Sequence, residues 1–552
     1  MPEERDPSQR KIRTPDEARE VLFERFGWAV AVRDERAVLE RALETREVDA
    51  IYSLEEGAAL DRFWGFLTWL GVDELLGSIR GEGVERVMVS MTQFVLLYLL
   101  KTVYGLPSVE ALPTLLFSSE AAMRLAGFNG HQIRNGVCAR SQHLRKAGTE
   151  RLGPVSVDAI RENLGKVRPE ELERVFNGTI RAIAARRFFP KTVSGSVDTS
   201  LLEVGPSFEG AGLTSRREKK NRTVAGEVVT ITRKIRGFKL GALMDLSLKI
   251  PLAVVVEKAE YSDVHMIRRL VLQAEENLRG YAELERLVLD RGFIDGAELF
   301  WLDEREILFV IPAKKEMNVY EDAVSLSRLG SPHRATRMEK VSRRRRHSAE
   351  NPLVEVCAVG LHGLTSYGDY GSDVKPSEKN SKSFKANPIH AVVLTESGKG
   401  AREEPLVLLT NSSVRDPFYT ADAYFERATI ENCLFREGKQ SLELEHPFSR
   451  NSDAMKIHVF FTVAVLALCR AFRAFQAREE RREEKGLPST LEQFRRRLKV
   501  ETRNKVIVFA EGKFGIFPVA EWMTLFGLRV KDAALDGVFD RASILAKYGL
   551  GP

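Results

Sequence analysis

Cysteine is scarce in this chain of 552 residues. There are four, Cys138, Cys357, Cys433 and Cys469, and none falls in a CxxC or Cys/His cluster. That spacing excludes a zinc site or a disulfide framework readable from sequence and points to isolated thiols in a reducing compartment. Long apolar runs are also missing. The longest, FVLLYLL (94–100) and VFFTVAVLAL (459–468), fall short of the roughly 18 residues a bilayer span needs. No membrane partner is expected. The opening MPEERDPSQRKIRTPDEARE has no apolar core for a secretory signal, so a cytoplasmic protein is expected. Excess charge of one sign is small. A net +6 at 29% charged residues permits a polyanionic partner without demanding one, so where the charges fall matters more than their sum.

Length allows two to four domains. Residues 1–20 read as a disordered tail. From 21 to 185 apolar residues recur at helical spacing, as in LDRFWGFLTWLG and MTQFVLLYLLKTVYG, which predicts an all-α domain. Its last helix carries Gln132, Arg134, Asn135, Arg140, Gln142, His143, Arg145 and Lys146, a set that suits a DNA groove. At 186 the pattern turns β-branched. KTVSGSVDTSLLEV, VAGEVVTITRKIRGFKLGALMDLSLKIPLAVVVEKAE, ERLVLDRGF and EILFVIP predict strands, and SDVHMIRRLVLQAEENLRGYAEL (262–284) an amphipathic helix. Together, 186–312 reads as the first part of a mixed α/β sheet. The helical pattern stops over 313–405, which predicts a β-rich insertion. The core resumes over 406–475, and 476–552 is expected to be helical with a small hairpin.

The segment YFERATIENCLFREGK (424–439) is expected to form one helix, with Tyr424, Arg427 and Glu431 on a single face at i, i+3 and i+7. A carboxylate framed by cations and a phenol suits a site that holds metal and phosphate together. Two further acids stand out: Asp198 inside an apolar strand and Asp290 at the end of another. An acid so placed is costly unless paired or metal-bound. Each acid alone also fits a bland reading, as a turn cap or the partner of a neighbouring arginine. Their order (strand acid, strand acid, helix acid) favours convergence beyond the strand ends. There, three carboxylates could hold two hard cations that clamp a phosphodiester.

The segments VDTSLLEVG, GFKLGALMD, LVLDRGFID and YFERATIENCLFREGK resemble the DDE transposases of bacterial insertion sequences. The likeness is to the branch with a Tyr-x2-Arg-x3-Glu-x6-Lys signature and a β-rich insertion. It covers about 190–475, with acids 92 and 141 residues apart. The resemblance implies an RNase H-like core with Asp198, Asp290 and Glu431 as catalytic metal ligands for two Mg²⁺ ions, Mn²⁺ substituting. It implies DNA cleavage at element ends and strand transfer, phosphate contacts from Tyr424 and Arg427, and a homodimer on double-stranded DNA comprising terminal inverted repeats and target. The nucleoid is then the expected location. The signature lysine would fall at Gly438, and the nearest base is Lys439. Residues 313–405 hold no tryptophan to stack a flipped base, leaving Tyr320, Tyr367, Tyr370 and Phe384 as aromatic candidates. Alternatives are an RNase H-like nuclease or resolvase without strand transfer, and a non-catalytic transposase-derived DNA-binding protein.

Two basic segments flank the acids. Residues 213–239 hold nine bases against two acids, among them Arg216, Arg217, Lys219 and Lys220. Residues 334–346 hold seven against one, ending in Arg343, Arg344, Arg345 and Arg346. Such arms are expected to hold a phosphate backbone beside the carboxylates.

Overall fold

The computed structural model describes residues 32–53, 61–82, 89–117, 119–128, 132–133, 155–222, 227–329, 332–340, 353–371, 387–398, 400–479, 505–528 and 540–551. Side chains of 217–231 are not among these. The chain divides into two units. A helical unit comprises 1–186, 207–210 and 437–552, and a sheet unit comprises 187–206 and 211–436.

The sheet unit begins with β1 (Thr192–Glu203), β2 (Gly212–Arg222), β3 (Glu227–Asp245) and β4 (Pro251–Lys258). Helix α1 (Ile267–Leu278) leads to β5 (Glu283–Leu289), α2 (Gly296–Glu304) and β6 (Leu308–Pro312). Strand β3 is long because it serves two partners. Its first half pairs with β2 as a hairpin, and from Gly237 onward it pairs with β1 on one side and β4 on the other. Gly237 sits at the switch. A Cβ there would lie 2.2 Å from the Leu202 carbonyl oxygen. The core order is β4-β3-β1-β5-β6, with β3 antiparallel to the other four strands. This is an RNase H-like core. Helix α1 seals one face of it through Ile267, Leu270, Val271 and Ala274, and Met266 and Leu270 reach Gly241 of β3.

The sheet continues past β6. After α3 (Asn318–Arg328) come β7 (Arg334–Lys340), β8 (Leu353–Leu364), β9 (Ile389–Ser397) and β10 (Leu406–Thr410). Strand β10 pairs antiparallel with β6, so these four strands extend the same ten-stranded sheet in the order β6-β10-β9-β8-β7. The expected insertion over 313–405 is therefore continuous with the core, and it is not purely β. Helix α3 has a readable signal, Val319, Ala323 and Ser327 buried at i, i+4 and i+8. Helix α4 (Pro417–Phe425) covers the outer strands through a cluster of Val354, Val356, Ala358, Val392, Leu394, Leu408, Val414 and Ala421.

The helical unit is built on Ser452–Glu479, whose apolar window has the length and composition of a membrane span but is 94% buried against protein. It packs with Met91–Tyr104 and Pro169–Ala185. In this unit Tyr98 donates to His458 Nδ1 at 2.7 Å, and His458 Nε2 donates to the Glu443 carbonyl at 2.8 Å. The carbonyl can only accept, so Nε2 carries a proton, and burial keeps the imidazole neutral by depressing it to about 3. Two expectations change here. Residues 21–185 are not all helical: Val32–Arg33 and Ala50–Ser53 are strands. They complete a four-stranded sheet with the hairpin Lys505–Ala510 and Lys513–Pro518, so the end of the chain shares a core with its beginning. Gln132 accepts a hydrogen bond from Gln93 at 3.1 Å and is buried, which does not suit a DNA contact. The other polar residues of that stretch, 134–146, lie outside the described residues, as do 1–20 and 480–500.

Candidate active site

Asp198 lies in the buried middle of β1, opposite Ala242 of β3. On its other side Val197 is in register with Leu289, the last residue of β5, so Asp290 follows at the same level of the sheet. Two parallel strands thus deliver two carboxylates at one level of the sheet, Asp198 from within β1 and Asp290 from the carboxyl end of β5.

The third acid arrives differently from expectation. Residues 424–439 are not one regular helix. Helix α4 stops at Phe425, and the backbone then tightens, with Arg427 donating to Tyr424 and Ile430 to Arg427 in i→i−3 bonds. After the short α5 (Ala428–Ile430) it widens into a π-helical turn, Glu431–Arg436. Changes of helical pitch of this kind are frequent at functional sites. They also shift every residue beyond 431, so the i+7 logic does not carry through to 438 or 439.

Arg427 joins the acids. Its Nη1 lies 3.0 Å from Asp198 Oδ2 and 3.1 Å from Glu431 Oε1, and its Nε lies 3.9 Å from Asp290 Oδ1. The expectation placed Arg427 against DNA phosphate. In the structure its guanidinium is held at the centre of three carboxylates and is largely buried. Asp198 Oδ1 also accepts from the Thr199 amide at 2.7 Å. Burial pushes the Asp198 carboxyl up to about 6. Asp290 and Glu431 push the same way, against the Thr199 amide and Arg427. Arg427 is pulled down by burial, but the surrounding acids outweigh this and raise it. The Tyr424 phenol is raised, chiefly by burial, and its ring packs on the cluster beneath α4.

The donor set is three carboxylates, the oxygen ligands that a hard cation prefers. One guanidinium does not balance three acids, so the site keeps negative charge for a dication. Ser196 lies two residues before Asp198 on the same face of β1. Among the described residues its buried hydroxyl meets no hydrogen-bond partner. Charge and donor chemistry therefore fit Mg²⁺. The acids are nonetheless gathered on Arg427 rather than on each other: among the described residues no three His, Cys, Asp or Glu side chains form a ready metal cluster.

Of the other expected contacts, Lys439 falls in the helical unit, where it pairs with Glu445 at 2.8 Å. The signature position, Gly438, is buried, and a Cβ there would meet Leu444 at 3.1 Å, so a long cation has no room. Arg216 is exposed on β2, directly opposite Arg233 of β3. Arg217, Lys219 and Lys220 continue β2, with side chains outside the described set, and Arg343–Arg346 lie outside the described residues. Tyr367 and Tyr370 are core residues, not base acceptors. They stack on each other, and the Tyr370 hydroxyl donates to Asp303. Tyr320 donates to the Pro405 carbonyl, and Phe384 is outside the described residues.

The sheet is RNase H-like, with Asp198 within β1, Asp290 after β5 and Glu431 on the helical turn beyond α4 drawn to one guanidinium. Residues 205–468 match the family model described as the transposase DDE domain, which is consistent with a DDE transposase. The match takes in Asp290, Arg427 and Glu431 and begins just after Asp198. No curated protein shows significant similarity to the chain.

Proposed function

We propose that this transposase cleaves DNA at the ends of its element and joins the freed 3′-hydroxyl to target DNA, with Asp198, Asp290 and Glu431 as the catalytic acids. The observation that supports it most is their convergence, from two strands and a helical turn, on the single guanidinium of Arg427. Two Mg²⁺ ions, or Mn²⁺, held by these acids would supply Lewis-acid activation of the attacking oxygen and charge stabilisation of the leaving one. The chain's own residues do the rest. Asp198, held between the Thr199 amide and Arg427, would present its carboxylate to the metal. Arg427 fixes the three carboxylates against their mutual repulsion. The β2–β3 hairpin sets exposed Arg216 opposite Arg233, whose charge is met by Glu203, and Arg216 is the base of the two that we assign to DNA phosphate. The substrate on this reading is double-stranded DNA bearing terminal inverted repeats. The acting form is a homodimer in the cytoplasm, at the nucleoid.

The test is a pair of assays on oligonucleotide duplexes bearing the inverted repeats that flank the coding region. Asp198→Asn, Asp290→Asn and Glu431→Gln should each abolish Mg²⁺-dependent cleavage and leave duplex binding within a few-fold. Retained cleavage in any one variant removes that residue from the site. Free cut ends without joined product would favour a nuclease over a transposase.

A further inference from the structure

Helix α4 begins on a rigid cap. Asp416 accepts from the amides of Phe418 and Tyr419 at 3.1 and 3.3 Å, and Pro417 occupies the first turn. This fixes the backbone of Tyr419. Its side chain is fixed too. Arg286 of β5, only 9% exposed, donates to the Tyr419 hydroxyl at 2.7 Å and lies 4.6 Å from the ring centroid. Yet Tyr419 itself is 56% exposed. A large ring immobilised by a buried cation and left open to solvent is unusual, because solvent-facing tyrosines ordinarily keep their rotamer freedom. Tyr367 and Tyr370 show the ordinary alternative, in which both ring and hydroxyl are buried.

The location gives the ring a use. Arg286 is four residues before Asp290 on β5 and on the same face of the sheet, about 13 Å along the strand from the acids. Tyr419 stands in the first turn of α4, the helix whose C-terminal end leads directly to Arg427 and the carboxylate centre. A base stacks on an aromatic face whatever its identity, and the gain is larger when the ring is already held in place.

We propose that Tyr419, pinned by Arg286, is a stacking post for an unpaired nucleotide of DNA bound at the carboxylate centre. This rests on the transposase reading for its ligand, but its test is separate. The full chain is titrated in EDTA, so that no cleavage occurs, with a fluorescent single-stranded oligothymidylate of about 16 nucleotides and with a duplex of the same length. Tyr419→Ala should weaken single-strand binding roughly 5- to 100-fold and change duplex binding by less than about twofold. Tyr419→Phe keeps the ring and should stay within about threefold of wild type. Unchanged single-strand affinity in a normally melting Tyr419→Ala protein overturns the proposal. Equal losses on both probes, or a wild type that binds no single strand, overturn it as well. If Tyr419→Ala does not fold, Tyr419→Leu, with similar bulk and no π face, carries the same expectation. Loss of the transposase reading would appear instead as cleavage that persists in the acid variants or never occurs.

Discussion

Asp198→Asn should make the sheet unit more stable at neutral pH while removing its chemistry. Burial raises the Asp198 carboxyl from 3.8 to about 6. Between those values the native protein holds a proton that the unfolded chain has released. Native stability therefore falls as pH rises through this window, and above it the full cost of keeping a buried carboxylate is present. A shift of roughly two units corresponds to about 3 kcal/mol. Asparagine carries no such cost, but its amide group would face the Arg427 guanidinium donor to donor, which returns about 1 kcal/mol or more. The net expectation is a gain of about 1–2 kcal/mol at pH 7.5 that vanishes near pH 4.5, where Asp198 is itself protonated. Hydrogen exchange of the β1 and β5 amides, at both pH values and in EDTA, reads the sheet unit without the helical one. A variant less stable than wild type at pH 7.5, or a difference that does not change with pH, would refute the reasoning.

Arg427→Gln removes the cation shared by three acids. Asp198 should then stay protonated to higher pH, and the acid limb of the cleavage-rate profile should move upward, as a pH series of initial rates would show. In the helical unit, burial and Lys101 depress His458 to about 3. Unfolded histidine binds a proton below about 6.5, so this contribution is whole above that pH and shrinks as pH falls, by about 2 kcal/mol at pH 5. His458→Phe should flatten the loss but leave the buried Tyr98 hydroxyl without its acceptor, at about 1–3 kcal/mol, measurable as a lower Tm at pH 7.5. Gly360→Ala places a Cβ 2.1 Å from the Val414 carbonyl oxygen, between β8 and the chain entering α4. Denaturant titration should show a cost of about 2–4 kcal/mol.

The parts of this fold legible in sequence are those whose signal is local. The alternation and β-branching of 191–204, 285–289 and 306–312 predict β1, β5 and β6, and the apolar stripe of 262–284 predicts α1. The β-branched runs LVEVCAVGLHG and HAVVLTESGKG predict β8 and β9 in the same way. What sequence did not show is which strands share a sheet. Residues 313–405 read as an inserted unit because nothing local announces that β9 pairs with β10 and so continues the core sheet. Ala50–Ser53 has too short and weak an alternation to be seen beside helices, and it is a strand only because Lys505–Ala510 lies against it. The pitch changes after Phe425 were invisible for a similar reason. Side-chain spacing assumes a uniform 3.6-residue turn, whereas the backbone here tightens and then widens to bring Arg427 and Glu431 to β1 and β5.

The candidate site divides in the same way. Residue type and position alone marked Asp198, Asp290 and Glu431, since an acid in an apolar strand needs a compensating partner wherever the chain folds. The identity of that partner is a tertiary matter. Parallel pairing of β1 with β5 sets the two aspartates side by side, and the distorted helical turn carries Arg427 into the space between them and Glu431. Only this packing turns an expected phosphate clamp into the hub of the acids and places Lys439 in the other unit. It also leaves Tyr419, which no sequence pattern distinguished, as a ring fixed by Arg286 and facing solvent. The physical reason is range: desolvation and periodicity act along the chain and can be read there. Charge neutralisation by a residue 229 positions away depends on a contact that exists only once the sheet has formed.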